Sequence, residues 1–295
     1  MLRIGTRGSR LALWQANYMK DALAELGEPA ELVIIKTQGD RVQHLTFDKL
    51  EGKGFFTKEL EDELLAGTID LAVHSLKDLP TTQPDGLSLA AVSYREDPAD
   101  WLLINPAALD PAADLRLRAG AAVGTSSSRR KAQLLDLRPD LKPVDIRGNV
   151  PTRADKARTG EVDAVMLAAA GLTRLHLEMD NLIVVRLHPT EFVPAPAQGV
   201  MAVQVKSDRT DLRRRLLPLH RSDVAECTNV ERGVLKLLQG GCQTPLGVHC
   251  YRDEQNNYHA SAAIASAWDA PVRRVRYSST VLSGMAEEVV KRLVG

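Results

Sequence analysis

The residues best placed to do chemistry stand in His74-Ser75-Leu76-Lys77-Asp78-Leu79-Pro80, directly after the apolar residues Ile69, Leu71, Ala72 and Val73. The apolar run reads as a short buried strand, and Pro80 keeps it from continuing. A strand that opens into polar and charged side chains at its carboxyl end marks the place where open α/β sheets take ligands. Asp78 cannot be both buried and ionised without a cation or several hydrogen-bond donors close by. Lys77 is its neighbour in sequence, but successive strand residues face opposite ways, so Lys77 need not be that cation. On this stretch alone, a polar turn capping a strand and a ligand-facing carboxylate are equally open readings.

Six arginines change the balance. Arg7, Arg129, Arg130, Arg147, Arg153 and Arg174 all fall at or just after expected strand ends. Arg129 and Arg130 follow Gly124-Thr125-Ser126-Ser127-Ser128 and open a helix, where a cation opposes the helix dipole by up to ~1 kcal/mol. An anion held by the turn's N–H groups, its hydroxyls and the guanidinium forks gives them a reason to be there. Any one of these arginines could line a solvated helix face. Six in one topological position imply a site for a molecule with several carboxylates or phosphates.

The third candidate is a thiol. Cys242 lies in Gly240-Gly241-Cys242-Gln243-Thr244-Pro245, where glycines end a helix and a proline follows. A cysteine on such a loop can be reached, so covalent attachment or nucleophilic chemistry is open to it. Cys227 and Cys250 read as core filling. Three cysteines without a CxxC spacing argue against a disulfide framework and against a zinc site. His74 has no second ligand at metal spacing and reads as a hydrogen-bonded side chain.

The elements that must position these groups alternate. Leu2–Thr6 is a strand, followed by a helix started by Ser9 with Ala12, Ala16, Met19 and Leu23 on one face. Leu32–Ile35 is a second strand. Residues 38–54 show no period, which suits a lid or a disordered loop. A helix with Phe56, Leu60 and Leu64 on one face leads to the strand before Asp78, and Leu87–Tyr94 is strand-like in turn. Strand–helix–strand alternation implies parallel βαβ units. The same grammar restarts near Asp97 with strands at Trp101–Ile104, Ala121–Gly124, Val144–Ile146 and Val162–Leu167. Residues 193–199, rich in proline and alanine, then return the chain to the first unit, where Val200–Val205 adds a strand.

The expected architecture is therefore α/β: two lobes facing a cleft, then a small C-terminal α+β domain with an antiparallel sheet. Residues 1–94 with 200–217 form the first domain, 95–199 the second and 218–295 the third. At 295 residues the chain can support three cores. Lys and Arg number 38, balanced by 38 Asp and Glu, so no overall field draws in nucleic acid or an anionic membrane. No secretory h-region or membrane-length apolar run is present, so the expectation is a cytoplasmic protein without nucleic-acid or membrane partners; a monomer is expected as well.

GTRGSRLALWQA, GKGFFTKELE, HSLKDLP, REDP, VGTSSSRR, IRGNVPTR, LAAAGLTRL and LQGGCQTPLG occur in that order. The ordered set, which runs to about Gly247, resembles the porphobilinogen deaminase (hydroxymethylbilane synthase) family of tetrapyrrole synthesis. The resemblance implies two lobes like those of type II periplasmic binding proteins and a third domain with a cofactor thiol. It implies a dipyrromethane cofactor joined through a thioether to Cys242, and Asp78 as the catalytic carboxylate. Lys77, Ser127, Arg129, Arg130, Arg147 and Gly148 would bind the cofactor; Arg7, Ser9, Arg153, Arg174 and Gln198 would bind the substrate, porphobilinogen. Four deaminating condensations and a hydrolysis would release a linear tetrapyrrole, with no metal required. Ala197 stands where the family commonly has glycine.

Two other classes explain less. A non-catalytic anion-binding protein accounts for the arginines but gives Asp78 and Cys242 no task. The ligand-sensing part of a regulator needs a DNA-binding helix-turn-helix, which is not apparent.

Overall fold

The computed structural model describes residues 1–37, 57–241 and 244–295. The expected lid, and with it Phe56, falls outside the described residues. The chain divides into two compact units, Met1–Glu96 with Gly199–Glu226, and Asp97–Gln198 with Cys227–Gly295.

In chain order the first unit begins with β1 (Leu2–Thr6), α1 (Arg10–Glu25), β2 (Ala30–Ile34), α2 (Lys58–Ala66), β3 (Leu71–Ser75) and β4 (Leu87–Arg95). The second contributes β5 (Asp100–Ile104), β6 (Ala122–Gly124), α3 (Ser128–Leu137), β7 (Lys142–Val144), α4 (Val150–Arg158), β8 (Ala164–Ala168), α5 (Ala169–Arg174) and β9 (Ile183–Arg186). The chain returns through β10 (Val200–Lys206), α6 (Thr210–Leu216) and α7 (Ser222–Leu237), and closes with β11 (Leu246–Arg252), β12 (Tyr258–Ile264), β13 (Arg273–Ser279) and α8 (Met285–Val294).

Local chemistry accounts for three of the helix starts. Ser9 caps α1 by accepting from the Ala12 N–H at 3.3 Å, Ser127 caps α3 through Arg130 N–H, and Asn149 caps α4 through Thr152 N–H. The buried face of α1, with Ala16, Met19 and Leu23, packs on Leu2, Ile4, Leu71 and Val73. Gly67 ends α2 in the left-handed conformation that glycine reaches without strain.

The first sheet has the order β2-β1-β3-β10-β4 and the second β7-β6-β8-β5-β9. In each, three parallel strands meet a fourth strand that runs antiparallel to both of its neighbours: β10 in the first, β5 in the second. The two sheets thus share one winding, although neither is purely parallel as alternation suggested. The third sheet is antiparallel, order β11-β12-β13, and carries α8 and the apolar side of α7 on a core that includes Cys227 and Cys250.

Two details depart from the sequence reading. The strand expected over Val144–Ile146 lies at Lys142–Val144, because the Ile146 N–H is taken by the Ser126 hydroxyl instead of a sheet partner. The strand β9, half-buried at an edge, lacks the periodic signal that marked the others. Among the described residues no helix is long and apolar enough to cross a membrane.

The returning segment is held from inside the second unit. Glu231, fully buried on α7, accepts from the backbone N–H of Ala197 at 2.6 Å and of Cys250 at 2.7 Å. Ala197 itself sits at φ 62°, a left-handed conformation that costs an alanine ~1–2 kcal/mol.

Candidate active site

In the first unit, β3 ends in a single 3₁₀ turn, Leu76–Asp78. Leu76 and Leu79 are buried at 1% and 3% exposure and peg the turn on either side, which leaves Lys77 half-buried and Asp78 exposed. Asp78 lines a pocket with Arg7, Ser9, Gln15, His74 and Ser75. Gln15 on α1 donates to the Ser75 hydroxyl at 2.9 Å, so the strand end is braced from the helix that Ser9 caps. The structure therefore brings together Asp78, Arg7 and Ser9, three of the residues that the sequence singled out.

His74 is buried, and its Nε2 lies 3.1 Å from Gln204 Oε1 on β10. Burial, with a smaller contribution from Arg7, pushes its pKa down to about 4, against the opposing effect of the hydrogen bond to Gln204. The imidazole is neutral at pH 7.

In the second unit, Arg129 and Arg130 occupy the first turn of α3 and are buried. Both grip one carboxylate that the sequence reading did not single out. Asp100, wholly buried at the start of β5, accepts from Arg129 Nη1 at 2.7 Å, and from Arg130 Nη2 at 2.7 Å and Nε at 3.1 Å. Arg129 also donates to Val193 O and Arg130 to Met166 O. Burial alone would raise the Asp100 pKa, but the two guanidinium groups outweigh it and hold the carboxyl well below the usual range. The anion that these arginines require is thus supplied, in the first place, by the chain itself. An aspartate heading an otherwise apolar strand, Asp100 before Trp101–Ile104, was the available signal.

Gln198 belongs to the same cluster. It is buried, and its amide nitrogen donates to Asp100 Oδ1 at 2.9 Å and Pro98 O at 2.8 Å. Arg147 follows β7, half-buried, and Arg153 on α4 donates to Gly148 O at 2.8 Å. Gly148 is held at φ 110°, and a Cβ there would come within 2.7 Å of Thr152. Burial, and then the charges of Arg130 and Arg147, push the Arg153 pKa down to about 10. Arg174 closes α5 and is buried. Cys242 lies outside the described residues. Among those described, no group of three or more His, Cys, Asp or Glu is arranged to hold a metal ion.

These features define a class: an α/β protein of two like-wound units, one presenting a carboxylate at a strand end, the other setting Arg129, Arg130 and Arg153 in the first turns of helices that follow strands. Relatives narrow the class to one family. The family model described as "Porphobilinogen deaminase, dipyromethane cofactor binding domain" matches residues 2–214, and that of the "Porphobilinogen deaminase, C-terminal domain" matches 225–293. A porphobilinogen deaminase of Syntrophobacter fumaroxidans is 43% identical over 85% of this chain and 80% of its own, and one of Chromobacterium violaceum is 47% identical over 83% and 78%. The chain belongs to the porphobilinogen deaminase family. The match extends past Gly247, where the recognisable motifs stop, to the end of α8.

Similar solved structures include a periplasmic domain of Bordetella pertussis BvgS, 15% identical with TM-score 0.46 over 76% of this chain and 90% of that one. Another is the aliphatic sulphonate binding protein SsuA of Escherichia coli, 15% identical with TM-score 0.44 over 81% and 70%. These remote likenesses carry no part of the assignment.

Proposed function

We propose that the protein joins four porphobilinogen units head to tail, with loss of ammonia, to give hydroxymethylbilane for tetrapyrrole synthesis. Family membership supports the reaction, and one observation in the fold supports its seat: Asp78 is turned outward into a pocket by the two buried leucines that flank its turn. A fixed carboxylate stabilises positive charge that develops as ammonia leaves a pyrrole side chain. Arg7 and Ser9, in the same pocket, bind the acetate and propionate groups of porphobilinogen.

A dipyrromethane cofactor fits the second unit. Burial and the like charges of Arg130 and Arg147 press on the Arg153 guanidinium, so a nearby anion would be favourable there. A polycarboxylate would provide one, and guanidinium forks match carboxylates in geometry as well as sign. Arg147, Arg153, Ser127 and Gly148 would hold that group, and Cys242 of the third domain, 218–295, would carry it as a thioether. When bound, it supplies the primer onto which substrate units are joined. Arg129 and Arg130 serve from beneath, anchored on Asp100, and Gln198 keeps Asp100 in place. Lys77 and Arg174 complete the basic set. The protein acts as a monomer in the cytoplasm.

The test combines mass and turnover. Intact protein should exceed the sequence mass by two pyrrole units and should convert porphobilinogen to hydroxymethylbilane. Protein of unmodified mass that binds porphobilinogen without consuming it would make this a binding protein and end the proposal.

A further inference from the structure

A chain of amides runs behind the Asp78 pocket, and its direction is fixed at one end. Gln83 donates to the backbone carbonyl of Pro80 at 3.1 Å, and a carbonyl can only accept. Its own amide oxygen accepts from Gln204 Nε2 at 2.8 Å, and the same nitrogen donates to Glu61 Oε1 at 3.2 Å. With both amide hydrogens so engaged, Gln204 turns its oxygen to His74 Nε2 at 3.1 Å. That oxygen must accept, so Nε2 carries the proton, and Nδ1 is the nitrogen with a lone pair.

We propose that this chain makes His74 a positioning residue, held as the neutral Nε2–H tautomer so that the wall beside Asp78 gains no second cation next to Arg7. The inference rests on the proposed deaminase function and says how its carboxylate is kept effective. Arg7 is engaged by substrate carboxylates in the proposed site, whereas an imidazolium added to the same wall would screen Asp78 and repel the positive charge that the substrate develops. Burial favours the neutral ring, and so does Arg7, the charged group that reaches it from the β1 side. Among the described residues, Asp78 on its own turn lines the same pocket and Glu61 on α2 lies behind Gln204. Glu61 is kept one amide away, behind Gln204, and burial raises its carboxyl above the usual range. Direct contact between that carboxylate and the ring would favour the imidazolium. Gln204, wholly buried on β10, is the spacer that prevents it.

The experiment moves the carboxylate by one place. In holoenzyme carrying Glu61→Gln with Gln204→Glu, the charge count is unchanged but a carboxylate faces His74 Nε2. Nitrogen-resolved NMR of the imidazoles, assigned with His74→Gln, reads tautomer and titration, and steady-state turnover of porphobilinogen reads the consequence. Wild-type His74 should be neutral with the proton on Nε2 at pH 7. In the relocated variant it should titrate at least one pH unit higher, with kcat falling about tenfold or more as it protonates while KM holds. Adding His74→Gln to that variant should abolish the acid-side fall, whatever the plateau. Titration of His74 without change in kcat would overturn the proposal, as would an Nδ1–H tautomer in the wild type. If the relocated variant does not fold, the wild-type tautomer decides alone. Loaded enzyme that fails to turn over porphobilinogen would instead refute the functional reading, while the tautomer measurement still judges the network.

Discussion

Arg129 Nη1 donates to Asp100 Oδ2 at 2.7 Å, with 5% of one side chain and none of the other exposed. Arg130 shares the same carboxylate, so removing its charge strands two buried cations. Asp100→Asn should cost about 3–5 kcal/mol of stability, read by denaturant unfolding. The depressed Asp100 pKa fixes the sign of the pH dependence. Its contribution is full above the unfolded-state value near 3.9 and is lost as pH falls through the lower folded value. The gap between wild type and Asp100→Asn should hold from pH 8 to 5 and close only in strong acid. A gap that closes near pH 6 would mean that some other group sets it.

Asp78 is exposed and its turn is held by leucines, so the carboxylate can be changed without unpacking the fold. Asp78→Asn should lower kcat by roughly 10²–10³, the usual worth of one preorganised electrostatic group, and leave the melting temperature and porphobilinogen binding nearly unchanged. Asp78→Glu should retain more activity than Asn. A fall in stability without a selective fall in kcat would mark Asp78 as a turn residue.

Cys227 and Cys250 are buried, at 7% and 1% exposure, in the core beneath the third sheet. Peptide mapping should therefore place the pyrrole adduct on the peptide that contains Cys242. Cys242→Ser should emerge with unmodified mass and without activity. An adduct on either buried cysteine would remove Cys242 from the site.

Gly199, at φ 90°, has no room for a side chain: a Cβ there would stand 2.4 Å from Glu96 O. Gly199→Ala combines left-handed strain with overpacking, each ~1–3 kcal/mol, and should lower the melting temperature by several degrees. Ala197→Gly, two residues earlier, should change it little, because relief at φ 62° is offset by the greater freedom of an unfolded glycine. Equal effects at the two positions would contradict this account.

What the sequence determined by itself was whatever depends on near neighbours. Ser9, Ser127 and Asn149 cap helices through residues three places on. The halt of an apolar run at His74–Asp78 located the pocket, and Arg7, Arg129 and Arg130 lie just after strands, whereas Arg153 lies within α4 and Arg174 closes α5. Their partners were not legible. Asp100 precedes Arg129 by 29 residues, Gln198 follows Asp100 by 98, and Gln204 lies 130 from His74. Each pairing depends on which strand lies beside which and in what register. In both sheets the decisive neighbour is the antiparallel strand next to one edge: β5 begins at Asp100, and β10 carries Gln204. Periodicity and capping act within a turn or two of chain, whereas a buried carboxylate finds its cation only when the sheet has closed around it, and only tertiary structure decides that.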